Sequence, residues 1–559
     1  MPWTLWRYAT VELWRLVLIS TLVLVLVIAF SAAVKPLADG TLGPAQALAF
    51  MVLATVPMLA YALPFAAAFG TALAYHRMAQ DNEVVAALAG GLPHRTLIVP
   101  AIASGIVLAG ALGLLNEQII PRFLQRMEQM ITLDAVDVLV RRLDRGESAA
   151  LGSLVVHAGS IREIEGPPEG EITKALHLRD VTAIEVTDEG EVLDDATAEH
   201  AWVSLWPGDT VGIDDGSLVG YMRFQKASMS NEGTLGTAGE FTTPLFRVPN
   251  AFEDDPKFLT AGELQELRDH PERMSFIRSR QSNLAREMAR LEIGEELRST
   301  LAAGKPVRFT GPDGVFSISS ARARGFGDWT LVPRGAETIS IEIDRADTLG
   351  TDIITAAGGE LIIEEAAPTK DVTVAASAEQ LTQLSLSLVL RDLVIGSDGS
   401  PVTTGRAERR YTGLVLASDP LPELSGLTAL GLLDRANAKI GSGDLATGRL
   451  AERRDALSER IAKLGREITS KQHERLAMAA ACLVMVLSGA VTALKLRHAM
   501  PLVVYLWTFF PALGVVLLIS IGQESVHDSG AIGIPILWSG VAGLGVAATL
   551  GVLRIKRTA

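Results

Sequence analysis

The sequence predicts an α+β membrane protein, with six transmembrane helices set three plus three around a large antiparallel β part. Three observations predict this. First, no Asp, Glu, Lys, Arg or His lies between Asp39 and His76, or between Arg95 and Glu117. Each gap supplies the roughly 20 apolar residues that cross about 30 Å of hydrocarbon. Second, a further hydrophobic block follows His473 and contains three more such runs. Third, the stretch between the blocks is polar and acidic. Ten of the 50 Lys and Arg residues and six of the 64 Asp and Glu residues fall outside 117–475, leaving 40 against 58 there, a net charge of −18.

The expected spans are about 13–35, 45–75, 96–117, 476–494, 499–523 and 530–553. The uncharged run Leu16–Val34 is 19 residues, too long for a signal-peptide core, and a second span follows at once, so the first is expected to stay attached. Basic residues flanking short loops fix the orientation. With the N-terminus cytoplasmic, Arg7, Arg15, Arg77, Arg95, Lys495, Arg497, Arg554, Lys556 and Arg557 lie inside, against only Glu12, Asp81 and Glu83. Both termini are then cytoplasmic and residues 117–475 lie outside the inner membrane. Their acidity argues against nucleic acid and against a face lying flat on anionic lipid. The sole cysteine, Cys482, falls in the fourth span, so one chain forms no disulfide.

The first span ends at Lys35, which reads either as a snorkelling anchor at the headgroup level or as a headgroup contact. The second carries Pro57 and Pro64, which bend a helix. Ala66, Gly70 and Ala74 make a small-residue stripe, repeated by Ser539, Gly543 and Ala547 in the sixth span. Either stripe suits packing within one bundle or contact between subunits. Between spans two and three lies His76–Arg95. A short helix is expected there, at about 81–91, begun near Asp81 and stopped by Gly90, Gly91 and Pro93. Val84, Val85 and Leu88 are expected on one face of it. Such a helix, tied at both ends to membrane spans, is a lever for a soluble partner. Arg122 and Arg126 follow the third span, four residues apart on one helix face, and arginine suits phosphate through its planar fork.

The segments LPFAAAFGTALAYHRMAQDNEVVAALAGG (Leu63–Gly91), LLNEQIIPR (Leu114–Arg122) and HERLAMAAACLVMVLSG (His473–Gly489) resemble the LptF/LptG-type permease subunits of the lipopolysaccharide export transporter. The resemblance covers about the first 130 and the last 90 residues. It implies a non-catalytic subunit paired with a homologous permease, a cytoplasmic ABC ATPase dimer and a periplasmic jellyroll bridge protein. The implied cargo is lipopolysaccharide, taken from the inner membrane toward the outer. Asp81, Asn82, Glu83, Val84, Val85 and Leu88 would then contact the ATPase, with Glu83 as the polar contact. Lys35, Arg122 and Arg126 would meet the lipid headgroup.

Downstream, SLVVH (Ser153–His157), ALHLRDVTAIEV (Ala175–Val186) and AWVSLW (Ala201–Trp206) read as strands between turn formers. The resemblance places a periplasmic jellyroll over this part, taken as 131–258. Thr260 and Glu263 form a capping box that opens a helix. The chain then departs from the family. Leu284, Met288 and Leu291, and later Leu450, Leu457, Ile461, Leu464 and Ile468, are apolar stripes at helical spacing. Between them TISIEID (Thr338–Asp344) and LSLSLVL (Leu384–Leu390) alternate with period two. We read an insertion: a helix over 259–302, a second β module over 303–445 and a returning helix over 446–475, the two helices paired as a stalk. The last helix runs straight into spans at 476–559, as the first domain, 1–130, holds spans one to three. Leu178-Arg179-Asp180 and Leu390-Arg391-Asp392, each followed by a turn, hint that the second module copies the first.

No P-loop, H-E-x-x-H or G-x-S-x-G run is present, and no cofactor or metal is expected. The alternatives kept are another ATPase-linked envelope permease, for lipoprotein release or mechanotransmission, and a non-transporting scaffold or sensor.

Overall fold

A computed structural model describes residues 3–38, 44–124, 126, 143, 146, 148–151, 154–164, 174–186, 192–207, 218–231, 234–242, 246–248, 255–325, 328–335, 338–345, 351–363, 384–397, 404–441 and 448–555, and all structural statements concern these. The chain forms two compact units. One comprises residues 1–138, 255–269 and 462–559; the other comprises 139–254 and 270–461.

The first unit is helical. Its elements are α1 (Trp3–Ala38), α2 (Pro44–Gln80), the short α3 (Glu83–Ala89), α4 (His94–Leu114) and α5 (Ala261–Asp269). Beyond the second unit's elements come α9 (Gly448–Lys495), which belongs to both units, α10 (Pro501–Ser529) and α11 (Gly533–Ile555). Five continuous apolar helical stretches are long enough to cross a membrane. The last of these, Pro501–Arg554, has 54 residues and folds back at Gly530, whose φ is +70°. A Cβ on Gly522 would meet Leu537 N at 2.3 Å, and one on Gly533 would meet Val526 N at 2.4 Å. Glycine therefore lets α10 and α11 lie antiparallel in backbone contact. In lipid, where burial of apolar area drives little, such close approach supplies the van der Waals attraction between helices.

The same device settles the stripe on α2. Ala66 and Ala74 are fully buried, and a Cβ on Gly70 would sit 2.5 Å from Val17 N of α1. That stripe packs within the bundle. On α11, by contrast, Ser539 and Ala547 are exposed and Gly543 faces open space.

The capping box forms as the sequence predicts. Thr260 N donates to Glu263 Oε2 at 2.7 Å, and Glu263 N donates to Thr260 Oγ1 at 3.5 Å, at the start of α5. Thr260→Ala is expected to cost about 1 kcal/mol, the usual worth of an N-cap, read as a small fall in the thermal midpoint of the detergent-solubilised chain.

The second unit contains two sheets. The first runs β1 (Ala149–Leu151), β2 (Leu154–Ile164), β3 (Lys174–Val186), β4 (Val192–Pro207), β5 (Leu218–Asn231) and β6 (Thr234–Thr242), each paired antiparallel with its chain neighbour. β7 (Phe246–Val248) pairs with the other end of the β5 edge. This is a meander, so the jellyroll expectation, which requires strands crossing between two sheets, is not met among the described strands. Val156, Leu176, Leu178, Ala201, Val203, Met222 and Phe224 are buried on one face. The pairing skips one residue in the same row of every strand: Gly159, Asp180, Glu199, Lys226 and Gly239. Asp180 (φ +51°) and Lys226 (φ +54°) take the left-handed conformation there. The skipped residues stand opposite one another and no residue is inserted, so the register is kept while the ladder is interrupted along one row, a crease in the pairing.

α6 (Ser275–Ala302) leads into the second sheet: β8 (Val307–Gly311), β9 (Gly314–Ser319), β10 (Ala321–Arg324), β11 (Trp329–Pro333), β12 (Ile339–Arg345), β13 (Thr351–Ile363), β14 (Leu386–Ser397) and β15 (Thr404–Leu416). The order β13-β12-β9-β8-β15-β14 returns to β13, closing a six-stranded barrel with β11 and β10 added at the β13 edge. Closure leaves no free edge in the ring. Phe309, Phe316, Ile341, Leu386, Leu388 and Leu414 are fully buried, as the period-two pattern of TISIEID and LSLSLVL predicts for inward positions.

β13, β14 and β15 repeat the arrangement of β2, β3 and β4. Ala158 pairs with Val181 and Ser160 with Arg179 across the crease; Ala356 pairs with Leu393 and Gly358 with Arg391. Asp392, with φ +48°, stands where Asp180 stands. The shared Leu-Arg-Asp thus marks a shared crease.

α7 (Leu421–Ser425) and α8 (Ala429–Gly441) complete the unit. The helix expected as half of a stalk instead packs along the barrel. A Cβ on Gly294 would meet the Trp329 indole at 2.8 Å, and Arg435 and Lys439 of α8 pair with Glu292 and Glu295 of α6. At the start of α6, the Arg460 guanidinium of α9 lies 3.9 Å over the Phe276 ring.

Candidate coupling and headgroup sites

The helix between α2 and α4 is seven residues long and has a left-handed residue at each end. Asn82 (φ +60°) precedes it and Gly91 (φ +80°) follows it. Asp81 does not cap it; its carboxylate instead stands 3.8 Å from Arg77 Nε. The reason is local. With Asn82 left-handed, the chain reverses one residue later than a side-chain cap at 81 requires. The far end closes as the glycines predict. Leu92 N donates to Ala87 O and Gly91 N to Leu88 O, both at 3.0 Å, the pattern in which a left-handed glycine satisfies the last carbonyls.

Val84 and Leu88 do share a face, but it turns inward: Val84 is buried and Leu88 packs on the core formed by α1, α2 and α4. Val85, a third of a turn round, is 43% exposed, next to the exposed Ala86 and Ala89. The outward face is therefore Val85, Ala86 and Ala89, flanked by the exposed Asp81 and Asn82.

Glu83 faces α1. Tyr8 OH donates to Glu83 Oε1 at 3.1 Å, and Glu83 Oε2 is buried without a donor among the described residues. Further contacts bind α1 to the same region. Arg77 donates to Glu12 Oε1 at 2.7 Å and Trp6 Nε1 donates to Thr96 O at 2.9 Å, while Tyr75 OH of α2 donates to Leu97 O of α4 at 2.7 Å. Sequence reasoning missed Tyr8, Trp6 and Glu12. The one signal was Glu12, an acid among the basic residues at that end of the first span.

At the opposite end of α4 the helix widens over Leu115–Ile119 into a π turn, a form frequent at functional sites. Buried Asn116 donates Nδ2 to Arg475 O at 3.4 Å. Arg122 and Arg126 are exposed, and the Arg126 guanidinium lies 5.9 Å over the Phe123 ring. Lys35 lies in the last turn of α1, and its side chain is outside the described residues. Among the described residues no group of three metal-ligating side chains occurs.

Against known families, residues 13–216 match the model described as lipopolysaccharide export system permease LptF/LptG. That stretch is similar to the LptF/LptG permease family. It takes in most of α1, all of α2 to α4 and the first sheet through β4, so the Asn82–Gly91 lever and the π turn both lie within the LptF/LptG-type region. The barrel and α10 and α11 lie beyond it. No curated protein matches the chain. The chain carries several apolar helices long enough to cross a membrane, and its residues 13–216 are similar to that permease family.

Proposed function

We propose that this chain is a non-catalytic permease subunit of an ATP-driven transporter that extracts lipopolysaccharide from the inner membrane and passes it to a periplasmic bridge protein. It pairs with a homologous permease and with two copies of a cytoplasmic ATPase. α10 and α11 make two crossings, giving six, with both termini cytoplasmic and both sheets periplasmic; the excess of basic residues on the short inside loops supports this. The observation that carries the reading is the lever itself. In the LptF/LptG-type region, α3 is a short rigid piece between two left-handed residues and between two membrane helices. Such residues absorb the backbone rotation of a hinge.

In this reading the ATPase closes on Asp81, Asn82, Val85 and the exposed alanines, while Val84 and Leu88 transmit the push into the bundle. Glu83 is the polar contact: Tyr8 holds one oxygen, and the carboxylate turns outward to bring its buried Oε2, donorless among the described residues, to a cation of the ATPase. Movement of α2 and α4 narrows a cavity between the two permeases and lifts the lipid past Lys35, Arg122 and Arg126.

The test is purification in mild detergent with a tagged subunit. Glu83→Arg is expected to lose the ATPase from the complex, or to keep it with lipid-coupled turnover reduced at least tenfold, about 1.4 kcal/mol of coupling. If binding and coupled turnover both survive, the lever assignment is wrong.

A further inference from the structure

The face of the first sheet opposite its buried side carries an unusual cluster. In one cross-strand row stand Arg162 of β2, His177 of β3, Trp202 of β4 and Arg223 of β5; in the next stand Arg179 of β3 and His200 of β4. His177 Nε2 and His200 Nδ1 are 3.3 Å apart, and the Trp202 ring centroid lies 5.1 Å from that of His177. Glu199 Oε1 is 3.5 Å from His200 Nε2 and is itself held by Lys226 Nζ at 2.5 Å. Arg162 and Arg179 are exposed. All this sits in a stretch of chain whose net charge is −18.

We propose that this face binds a phosphate monoester, held between His177 and His200, with Arg162 and Arg179 beside it and Trp202 at its floor. The chemistry excludes the obvious rival, a transition metal. Two guanidinium groups repel a cation, and among the described residues no group of three metal-ligating side chains occurs. An anion meets neither objection. Without ligand, one ring nitrogen donates to the other, which allows at most one of the facing nitrogens to act as acceptor. Protonating both rings places two N–H groups head to head. A phosphate entering between them accepts from both, and its remaining oxygens take the planar forks of the arginines. Binding is therefore coupled to proton uptake. Burial, His200, Arg179 and Arg162 hold His177 below its ordinary 6.5 before ligand arrives. Other charges facing the pair are Glu199, 3.5 Å from His200 Nε2, and Lys226. A free phosphate ester and a lipid-borne phosphate share this chemistry.

The experiment uses the full chain in detergent micelles. Trp202 emission, taken as the difference from Trp202→Phe, is followed against pH, since a neighbouring imidazolium quenches indole. Three media are compared at matched ionic strength: chloride, inorganic phosphate, and micelles doped with phosphatidic acid. The quenching midpoint is expected to rise in phosphate, in doped micelles, or in both. Apparent affinity should increase by up to about tenfold per pH unit as pH falls, the limit for one proton taken up. A shift in inorganic phosphate identifies a soluble ligand, and one confined to phosphatidic acid identifies a lipid headgroup. His177→Gln should abolish the shift and Arg179→Gln, which keeps both imidazoles, should weaken it. A midpoint unmoved in both phosphate media, or a full shift retained in Arg179→Gln and His177→Gln, overturns the proposal. No ATPase enters the measurement, so its failure leaves the lever untouched.

Discussion

Gly489→Leu is expected to prevent α2 and α9 from docking, and with it the assembly of the helical unit. A Cβ at residue 489 would stand 2.5 Å from Ala68 O and 3.3 Å from Ala72 N. Both obstacles are backbone, so no side chain can swing aside. Overpacking a core costs about 1–3 kcal/mol where side chains can move. With rigid helix backbone on both sides, the loss is expected to be about 3 kcal/mol or more. The detergent-solubilised chain should show a lower thermal midpoint and poor accumulation, with Gly489→Ala intermediate. Gly543→Leu is the control, because Gly543 faces open space. A Gly489→Leu chain with an unchanged midpoint would show that α2 and α9 do not meet as described.

This contact matters beyond stability. Ala68 and Ala72 lie about four and three turns before the lever on α2, and a Cβ on Gly105 of α4 would meet Leu483 Cδ1 of α9 at 2.7 Å. Both arms of the lever therefore bear on one helix, α9. A push on α3 is expected to reach α9 through backbone contact from α2 and through the Leu483 side chain from α4, both close-packed.

What was legible in the sequence was local. The Thr260–Glu263 box, the Gly91 stop and the period-two runs each depend on neighbours within a few residues, and each formed. Five apolar helical stretches cover the places where spans were expected, and several of their ends lie beyond those drawn from the sequence. The hydrophobic run begins near residue 13, whereas α1 begins at Trp3, because Trp6 and Tyr8 make tertiary hydrogen bonds that an apolarity count does not register. A short helix forms where one was expected, over Glu83–Ala89, but with a different face outward. Spacing of four put Val84 with Leu88, but only packing against α1 and α4 decides that this face is inward and Val85 outward. The barrel was beyond reach because its closing pair, β13 with β14, and its β15–β8 pair depend on partners chosen across long separations. His177 and His200, 23 residues apart, become neighbours only through the β3–β4 register. The Leu-Arg-Asp echo was visible, but its meaning was conformational, a left-handed aspartate at a crease.

Arg475→Met is expected to release the segment before α5. Arg475 is 8% exposed and donates NH2 to Leu259 O at 2.8 Å and to Lys257 O at 3.3 Å. Glu117 of the π turn and Glu474 are the acids near it. Methionine keeps the volume of the stem and removes the donors, leaving two carbonyls without this partner. Hydrogen bonds to a charged group contribute about 1.5–3 kcal/mol each, so a loss of about 3 kcal/mol is expected. The Asn116 contact uses the Arg475 backbone oxygen and survives the change. The loss should therefore appear first as faster proteolysis around 255–269, at temperatures where the helical bundle still holds. Arg475→Lys, with one compact charge in place of a planar fork, should fall between. Equal proteolysis of Arg475→Met and the unaltered chain would mean that α5 is held by Phe258 and its own capping box, and that Arg475 is a passenger at this joint.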